Sequence, residues 1–368
     1  MMSTKIELND KKEKKYDIKQ LIVRNSVPIM FIVICLGGTI ASKLGPAYVL
    51  NELIARLDRN LLLVLSLIIP VLAGMGLNFA LVIGAMAGQI GLITIKIFDI
   101  GGLPGILAAT LIATPFAIIF GLGTGSILNR TKGQEMITSL ILGYFAMGLY
   151  QLVFLLLMGT LIPVKDPEII LPGGIGLKNA IDLSLIKYSL DKIWQPAIMG
   201  VKIPVVSFII IAFFCAVIWF ITRTKLGQDF RALGQDINIA KVSGIDVDKT
   251  RLIAITISTV LAAWGQIMFL QNIGTLQTYS SHEQVGMFAV AAILVGGASV
   301  TKATIGEAIL GTILFHTLFI VSPNAGKNLL GDSQIGEFFR AFIAYGVIAM
   351  SLVLHAFQKT IMSKAKRD

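Results

Sequence analysis

Ile203-Pro-Val-Val-Ser-Phe-Ile-Ile-Ile-Ala-Phe-Phe-Cys-Ala-Val-Ile-Trp-Phe-Ile-Thr222 is an uninterrupted apolar run without one charged side chain, and Arg223 follows it at once. A helix rising about 1.5 Å per residue over about 20 residues matches the roughly 30 Å hydrocarbon layer of a membrane. Working outward, similar runs precede it at Val27 to Ser42, Leu61 to Phe79, Ala80 to Ile95, Leu103 to Leu122 and Ile137 to Leu161. Others follow at Leu252 to Leu270, Val285 to Val300, Ile305 to Val321 and Phe338 to Leu354. The reading is an all-α polytopic membrane protein with about ten transmembrane helices. Gly74, Gly76 and Asn78 interrupt the second and third runs and mark either a re-entrant or a broken helix.

Composition agrees. The chain has 368 residues, 55% hydrophobic and 14% charged, with a mean hydropathy of +0.82, whereas soluble domains carry about 25% charged residues. That excludes an ordinary soluble enzyme and a disordered chain. The first run is read as an uncleaved span, since its preceding tail is polar through Asn25 and no small-residue cleavage site follows Ser42.

The net charge of +10 invites a nucleic-acid reading until the charges are placed. With a cytoplasmic N-terminus, the inside segments are residues 1–26, 123–136, 223–251, 301–304 and 355–368. They hold 20 of the 31 Lys and Arg but only 10 of the 21 Asp and Glu. The whole positive excess lies on one face, as the positive-inside rule requires. Both termini, the basic tails 1–26 and 358–368, are then cytoplasmic and flank a transmembrane domain at 27–357, and no nucleic-acid partner is needed. The basic tail suits a lipid membrane surface.

Two segments outside the spans are long. Residues 162–202 form an external loop with a possible short amphipathic helix near Leu183 to Trp194. It is read either as a docking surface for a partner or as an ordinary structured connection. Residues 223–251 are far longer than a helix connection requires. There Asp236 or Asn238 can cap a short helix and Gly244 can end it, leaving Ile237, Ile239, Ala240 and Val242 available to a partner.

The stretch Thr224-Lys-Leu-Gly-Gln-Asp-Phe-Arg-Ala-Leu-Gly-Gln-Asp-Ile-Asn-Ile-Ala-Lys-Val-Ser-Gly-Ile-Asp-Val247 resembles the coupling segment of ABC importer permeases serving ribose and other simple sugars, nucleosides and branched-chain amino acids. It keeps Thr224, Gly227, Arg231, Ala232, Gly234, Ala240, Gly244 and Ile245 of the family pattern, with Ile239 in place of an alanine. Gln134-Glu135-Met-Ile137-Thr138 to Tyr144, Ser258 to Gly265, and the glycine-rich stretches Ala291 to Ser299 and Gly306 to Thr312 resemble further family segments in the same order. Gly76-Leu-Asn78 to Gly88-Gln89 lacks the acidic residues of both the nucleoside-type and sugar-type patterns, so the chain looks like a divergent member nearest those two branches.

The resemblance implies that Arg231, Asp236, Ile237, Asn238, Ile239, Ala240, Lys241, Val242, Ser243 and Gly244 couple the chain to an ATPase. It implies a pair of ATPase subunits or a fused double ATPase that carries the ATP and Mg, and a second permease, identical or paralogous. It also implies an extracytoplasmic substrate-binding protein or lipoprotein, all at a bacterial or archaeal cytoplasmic membrane. No Walker A phosphate loop occurs, so ATP hydrolysis belongs to a partner and no cofactor is expected on this chain. The substrate expected is a nucleoside or simple sugar, with a branched-chain amino acid or vitamin as the alternative within the same role. The competing mechanism is an ion-coupled secondary transporter.

Polar groups within spans need a partner or a water-filled path. Asn78, Gln89, Gln151, Gln266 and His316 are the pathway candidates, each equally readable as an interhelical hydrogen-bonding group. No run carries a charge at its centre, which suits an uncharged solute. Small-residue repeats, Gly84 with Gly88, Gly101 with Gly105, and Gly121 with Gly125, permit close helix packing. Cys35 and Cys215 sit in apolar runs with no metal-like spacing, the histidines are scattered, and no catalytic or metal residues are expected.

Overall fold

The computed structural model describes residues 25–164 and 166–365. The basic tail expected at 1–26 falls almost wholly outside these residues. Helices dominate: α1 (Ser26–Ser42), α2 (Pro46–Leu65), α3 (Ile68–Leu72), α4 (Leu81–Ile97), α5 (Gly102–Arg130), α6 (Glu135–Leu152, extended by a π-helical turn at Val153–Leu157), α7 (Val205–Arg223), α8 (Lys225–Gln235), α9 (Ile237–Val242), α10 (Val247–Ile273), α11 (Ser281–Val295), α12 (Ile305–Leu330) and α13 (Ser333–Ala365). In lipid every backbone polar group must be satisfied within the chain, and a helix does so segment by segment. Among the described residues, five helices are long and apolar enough to cross a membrane, and Val27–Ser42, Leu81–Ile97 and Ser281–Val295 are shorter apolar helices.

The long helices run between two ends of the bundle. At one end lie α8 and α9; at the other lies the long loop, residues 162–202 (the loop end). Here β1 (Ala180–Asp182) pairs antiparallel with β4 (Thr275–Gln277), with Ile181 opposite Leu276, and β2 (Ala197–Ile198) forms a hairpin with β3 (Val201–Lys202). α10 traverses the whole bundle. The Asp246 carboxylate caps its start by accepting from Lys249 N at 3.1 Å, and Gly274 ends it at φ +78°, a left-handed conformation that costs glycine nothing.

The second run departs from the sequence reading. Helix begins at Pro46, fifteen residues before Leu61, and the stretch before Leu61 carries Glu52, Arg56, Asp58 and Arg59. Averaged hydropathy discards such a stretch even when tertiary partners neutralise its charges. After α3, Gly74 and Gly76 take φ +71° and +68° and turn the chain into α4. The interruption is therefore a broken helix followed by a turn. A Cβ on Gly74 would fall 2.8 Å from Gly234 Cα, so Gly74 also lets the turn touch α8 backbone to backbone.

The amphipathic helix expected at Leu183 to Trp194 does not form. Successive turns take its place, because Tyr188 adopts φ +57° and its N–H donates to Gln271 O at 2.9 Å instead of into a helix. Leu183, Ile186 and Leu190 still face the core beneath the loop. α12 contains Pro323, which leaves the Phe319 carbonyl without its helical donor. Arg340 of α13 supplies one, Nη1 donating to Phe319 O at 3.1 Å.

Candidate functional site

The segment 223–251 folds into α8 and α9 as its cap chemistry dictates. Asp236 Oδ1 accepts from Asn238 N at 2.7 Å and Ile239 N at 3.2 Å, and Gly244 closes the turn at φ +81°. Phe230 and Leu233 of α8 are buried against the bundle. On α9, Ile239 is 66% and Val242 90% exposed, while Arg231, Asn238, Lys241, Ser243 and Gly244 are also exposed. Ala240 corrects the sequence reading: it is buried with Leu233 and Val247, and Ile237 packs beside them. A six-residue helix has little stability alone, and the inward Ala240 fastens it to α8 and α10.

Directly behind α9 lies a group not singled out from sequence as a site. Arg251 of α10 is 0% exposed and forms an ion pair with Glu135 of α6, Nη2 to Oε1 at 2.7 Å. Its Nη2 also donates to Leu128 O at 3.2 Å and its Nε to Asn129 Oδ1 at 3.0 Å, both on α5. Asn129 Nδ2 donates to Asp248 O at 2.8 Å, Lys132 pairs with Asp248, and Glu135 Oε2 accepts from Gly133 N at 2.9 Å. The start of α10 is thereby tied to the ends of α5 and α6. Arg251 closes the charged segment and Glu135 lies in a motif already noted, yet their pairing spans more than a hundred residues.

The pathway candidates separate. Asn78 sits in the turn before α4, its Oδ1 accepting from Ala80 N at 3.1 Å, near the α8 end. Gln151 is half-buried on α6. His316 is buried on α12 in edge contact with Phe315 and Phe319. Gln89 and Gln266 do come together with two residues absent from the candidate set, Tyr150 and His282. Gln89 lies 3.0 Å from His282 Nδ1, the Tyr150 and His282 rings are 5.0 Å apart, and Gln266 Nε2 donates to Ser281 O at 3.4 Å.

A second buried polar cluster has its charges outside the apolar runs, where α2 meets the long loop. Asp58 of α2 and Asp191 of the loop are both buried. Asn272 Nδ2 bridges them, at 3.4 Å to Asp58 Oδ2 and 2.8 Å to Asp191 Oδ2. Asp191 Oδ1 accepts from Ser207 Oγ at 2.7 Å and Gln271 Nε2 at 2.9 Å, and Arg59 Nη1 donates to Asn272 Oδ1 at 3.4 Å. These bonds hold the long loop to α2, α7 and α10. Lys96 at the end of α4 adds an ion pair with Glu168 of the loop at 2.8 Å. On the loop surface Asp182 is held below the usual carboxylate range by the Ser184 hydroxyl, which donates to it at 2.6 Å.

The glycine repeats serve two purposes. Gly84 and Gly88 of α4 and Gly121 and Gly125 of α5 all meet α10. A Cβ on Gly84 would fall 2.5 Å from Thr259 O, and one on Gly121 2.8 Å from Thr256 Cα. Gly101 and Gly105 seat the loop at Leu185 and Ile186 rather than a helix. Among the described residues no cluster of His, Cys, Asp or Glu is arranged to hold a metal ion.

A family model described as branched-chain amino acid transport system / permease component matches residues 60–354. The autoinducer 2 import system permease protein of Klebsiella pneumoniae is 28% identical over 227 residues, 61% of this chain and 61% of its own length. The D-allose transport system permease protein of Escherichia coli is 25% identical over 300 residues, 78% of this chain and 79% of that one. The fructose import permease protein of Bifidobacterium longum is 24% identical over 298 residues, 79% of each chain. No solved structure matches. With the family model covering most of its length and most of its helical bundle, the chain belongs to the branched-chain amino acid transport system permease family, as a multi-pass transport component.

Proposed function

We propose that this chain is the translocation subunit of a binding-protein-dependent ABC importer that carries a simple sugar. The observation that carries the reading is the outward face of α9. Ile239 and Val242 present two large apolar side chains to the outside of a bundle end that is otherwise polar and charged. Exposed apolar side chains on a braced helix suit a helix-in-groove contact with another protein. The ATPase, bearing ATP and Mg, occupies that position in this reading. Its movement reaches α5, α6 and α10 through the Arg251 and Glu135 junction.

The remaining partners follow the same logic: a second permease beside this one, and a binding protein at the loop end. The termini and α9 face the cytoplasm, where the positive excess lies, and α1, α2 with α3, α4, α5, α6, α7, α10, α11, α12 and α13 each cross the membrane. Asn78, Gln89, Gln151, Gln266 and His316 remain candidates for contact with the solute or its path. Relatives named for D-allose and fructose transport support a sugar over a nucleoside, branched-chain amino acid or vitamin. The charged groups of α2 do not argue for ion coupling, because Asp58 and Asp191 are engaged by Asn272, Ser207 and Gln271.

The test is site-specific crosslinking. A photoreactive residue at Val242 should crosslink, in native membranes, to a protein that carries a Walker A loop, and the same residue at Met199 on the opposite end should not. An ATPase captured equally from both positions, or from neither, would contradict the assignment.

A further inference from the structure

We propose that Gln89, Tyr150, Gln266 and His282 form a binding site for an uncharged polyhydroxylated solute within the bundle; the inference rests on the importer reading above. The four side chains come from α4, α6, α10 and α11, and all are buried. Each retains a polar atom without a partner: Gln89 Nε2, Tyr150 OH, Gln266 Oε1 and His282 Nε2. Buried polar side chains ordinarily find partners, and these four are close enough to share some. Gln89 Oε1 and His282 Nδ1 are 3.0 Å apart. The Gln266 Cβ stands 3.1 Å from where a Cβ on Gly88 would sit, and its amide reaches Ser281, the neighbour of His282.

The chemistry of the free atoms specifies the ligand class. Because Gln89 Oε1 only accepts, His282 Nδ1 carries the proton, and the neutral ring leaves Nε2 as an acceptor. Gln89 Nε2 is a donor, Gln266 Oε1 an acceptor, and the Tyr150 hydroxyl either. No formal charge stands among the four, so an ion gains nothing there. A hydroxyl group donates and accepts at once, and a ring bearing several of them meets this mixed set. Tyr150 also lies against Phe154, ring centroids 4.3 Å apart and tilted at 44°, which adds an aromatic wall to the site.

The position suits transit from the loop end. Above the site Tyr279 donates to Leu177 O at 2.8 Å and Thr278 Oγ1 to Lys178 O at 2.8 Å, so the β1 and β4 region of the loop forms its roof. Release of that roof when a binding protein docks opens the four side chains outward, and the bundle below remains closed by the glycine-mediated contact of α4 with α10.

The test uses the chain assembled with its ATPase and binding protein in proteoliposomes, with D-allose as the probe. Tyr150→Phe removes one oxygen, and Gln266→Met keeps the length of the side chain while removing its polar atoms. Ser258→Ala, at a buried hydroxyl of α10 that also lacks a partner but lies outside the site, serves as control. We expect both site variants to keep binding-protein-stimulated ATP hydrolysis and the wild-type melting temperature, while sugar carried per ATP falls at least about fivefold. The control should match wild type. Wild-type sugar per ATP in both site variants would overturn the site and leave the importer reading standing. A wild-type assembly that hydrolyses ATP but moves neither D-allose, D-fructose nor D-xylose would overturn the importer reading and the site with it.

Discussion

Arg251 holds a permanent charge where water does not reach, and Glu135 answers it at 2.7 Å. Removing one member of such a buried pair strands the other and typically costs about 3–5 kcal/mol. We therefore expect Arg251→Met and Glu135→Met each to lower the melting temperature of the purified chain sharply. The double variant Arg251→Met with Glu135→Met should recover much of the loss, read by a double-mutant cycle; additive losses would show that the two residues act separately. This pair marks the limit of reading at the residue scale. Asp236 and Gly244 were legible because capping depends on neighbours a few positions away. Arg251 and Glu135 find each other only through the fold. The inward turn of Ala240 follows likewise from where α8 and α10 lie, not from the helix that bears it.

The elements differ in how openly they declare themselves. α7 and α10 showed in the sequence because lipid or apolar core meets most of their length. α2 showed only from Leu61 onward, since Arg56, Asp58 and Arg59 depress averaged hydropathy while Asn272 and Asp191 supply partners from afar. The turns at Leu183 to Trp194 carry helical apolar spacing, yet Tyr188 bonds α10 instead. At α9, Asp236→Ala should cost about 1 kcal/mol of local helix stability, seen as faster amide exchange at Asn238 and Ile239. Val242→Glu should abolish co-purification of the ATPase without lowering the amount of inserted chain; retained co-purification would place the contact elsewhere. On α5, Gly121 faces α10 and Gly123 faces open space. Gly121→Leu should destabilise by about 1–3 kcal/mol or more through overpacking, and Gly123→Leu should leave the melting temperature near wild type.

At the scale of the whole molecule, a large apolar fraction and a charge of +10 resolve into a bundle with two unlike ends. One end carries α9 and its braced apolar tip; the other carries the long loop, pinned by Asp191, Lys96 and the β1 and β4 pair. Orientation is open to direct labelling. With Cys35 and Cys215 replaced by Ala, a cysteine at Met199, 95% exposed on the loop, should react with an impermeant maleimide from outside intact cells. One at Lys241 should react only after permeabilisation, and the reverse pattern would invert the topology. The central claim, that ATP hydrolysed by a partner drives transport through this chain, is tested most directly by uptake of labelled sugar into proteoliposomes. The account expects uptake only when the ATPase, the binding protein and internal ATP are all present, and its loss in Val242→Glu. Uptake by the chain alone under a proton or sodium gradient would contradict it.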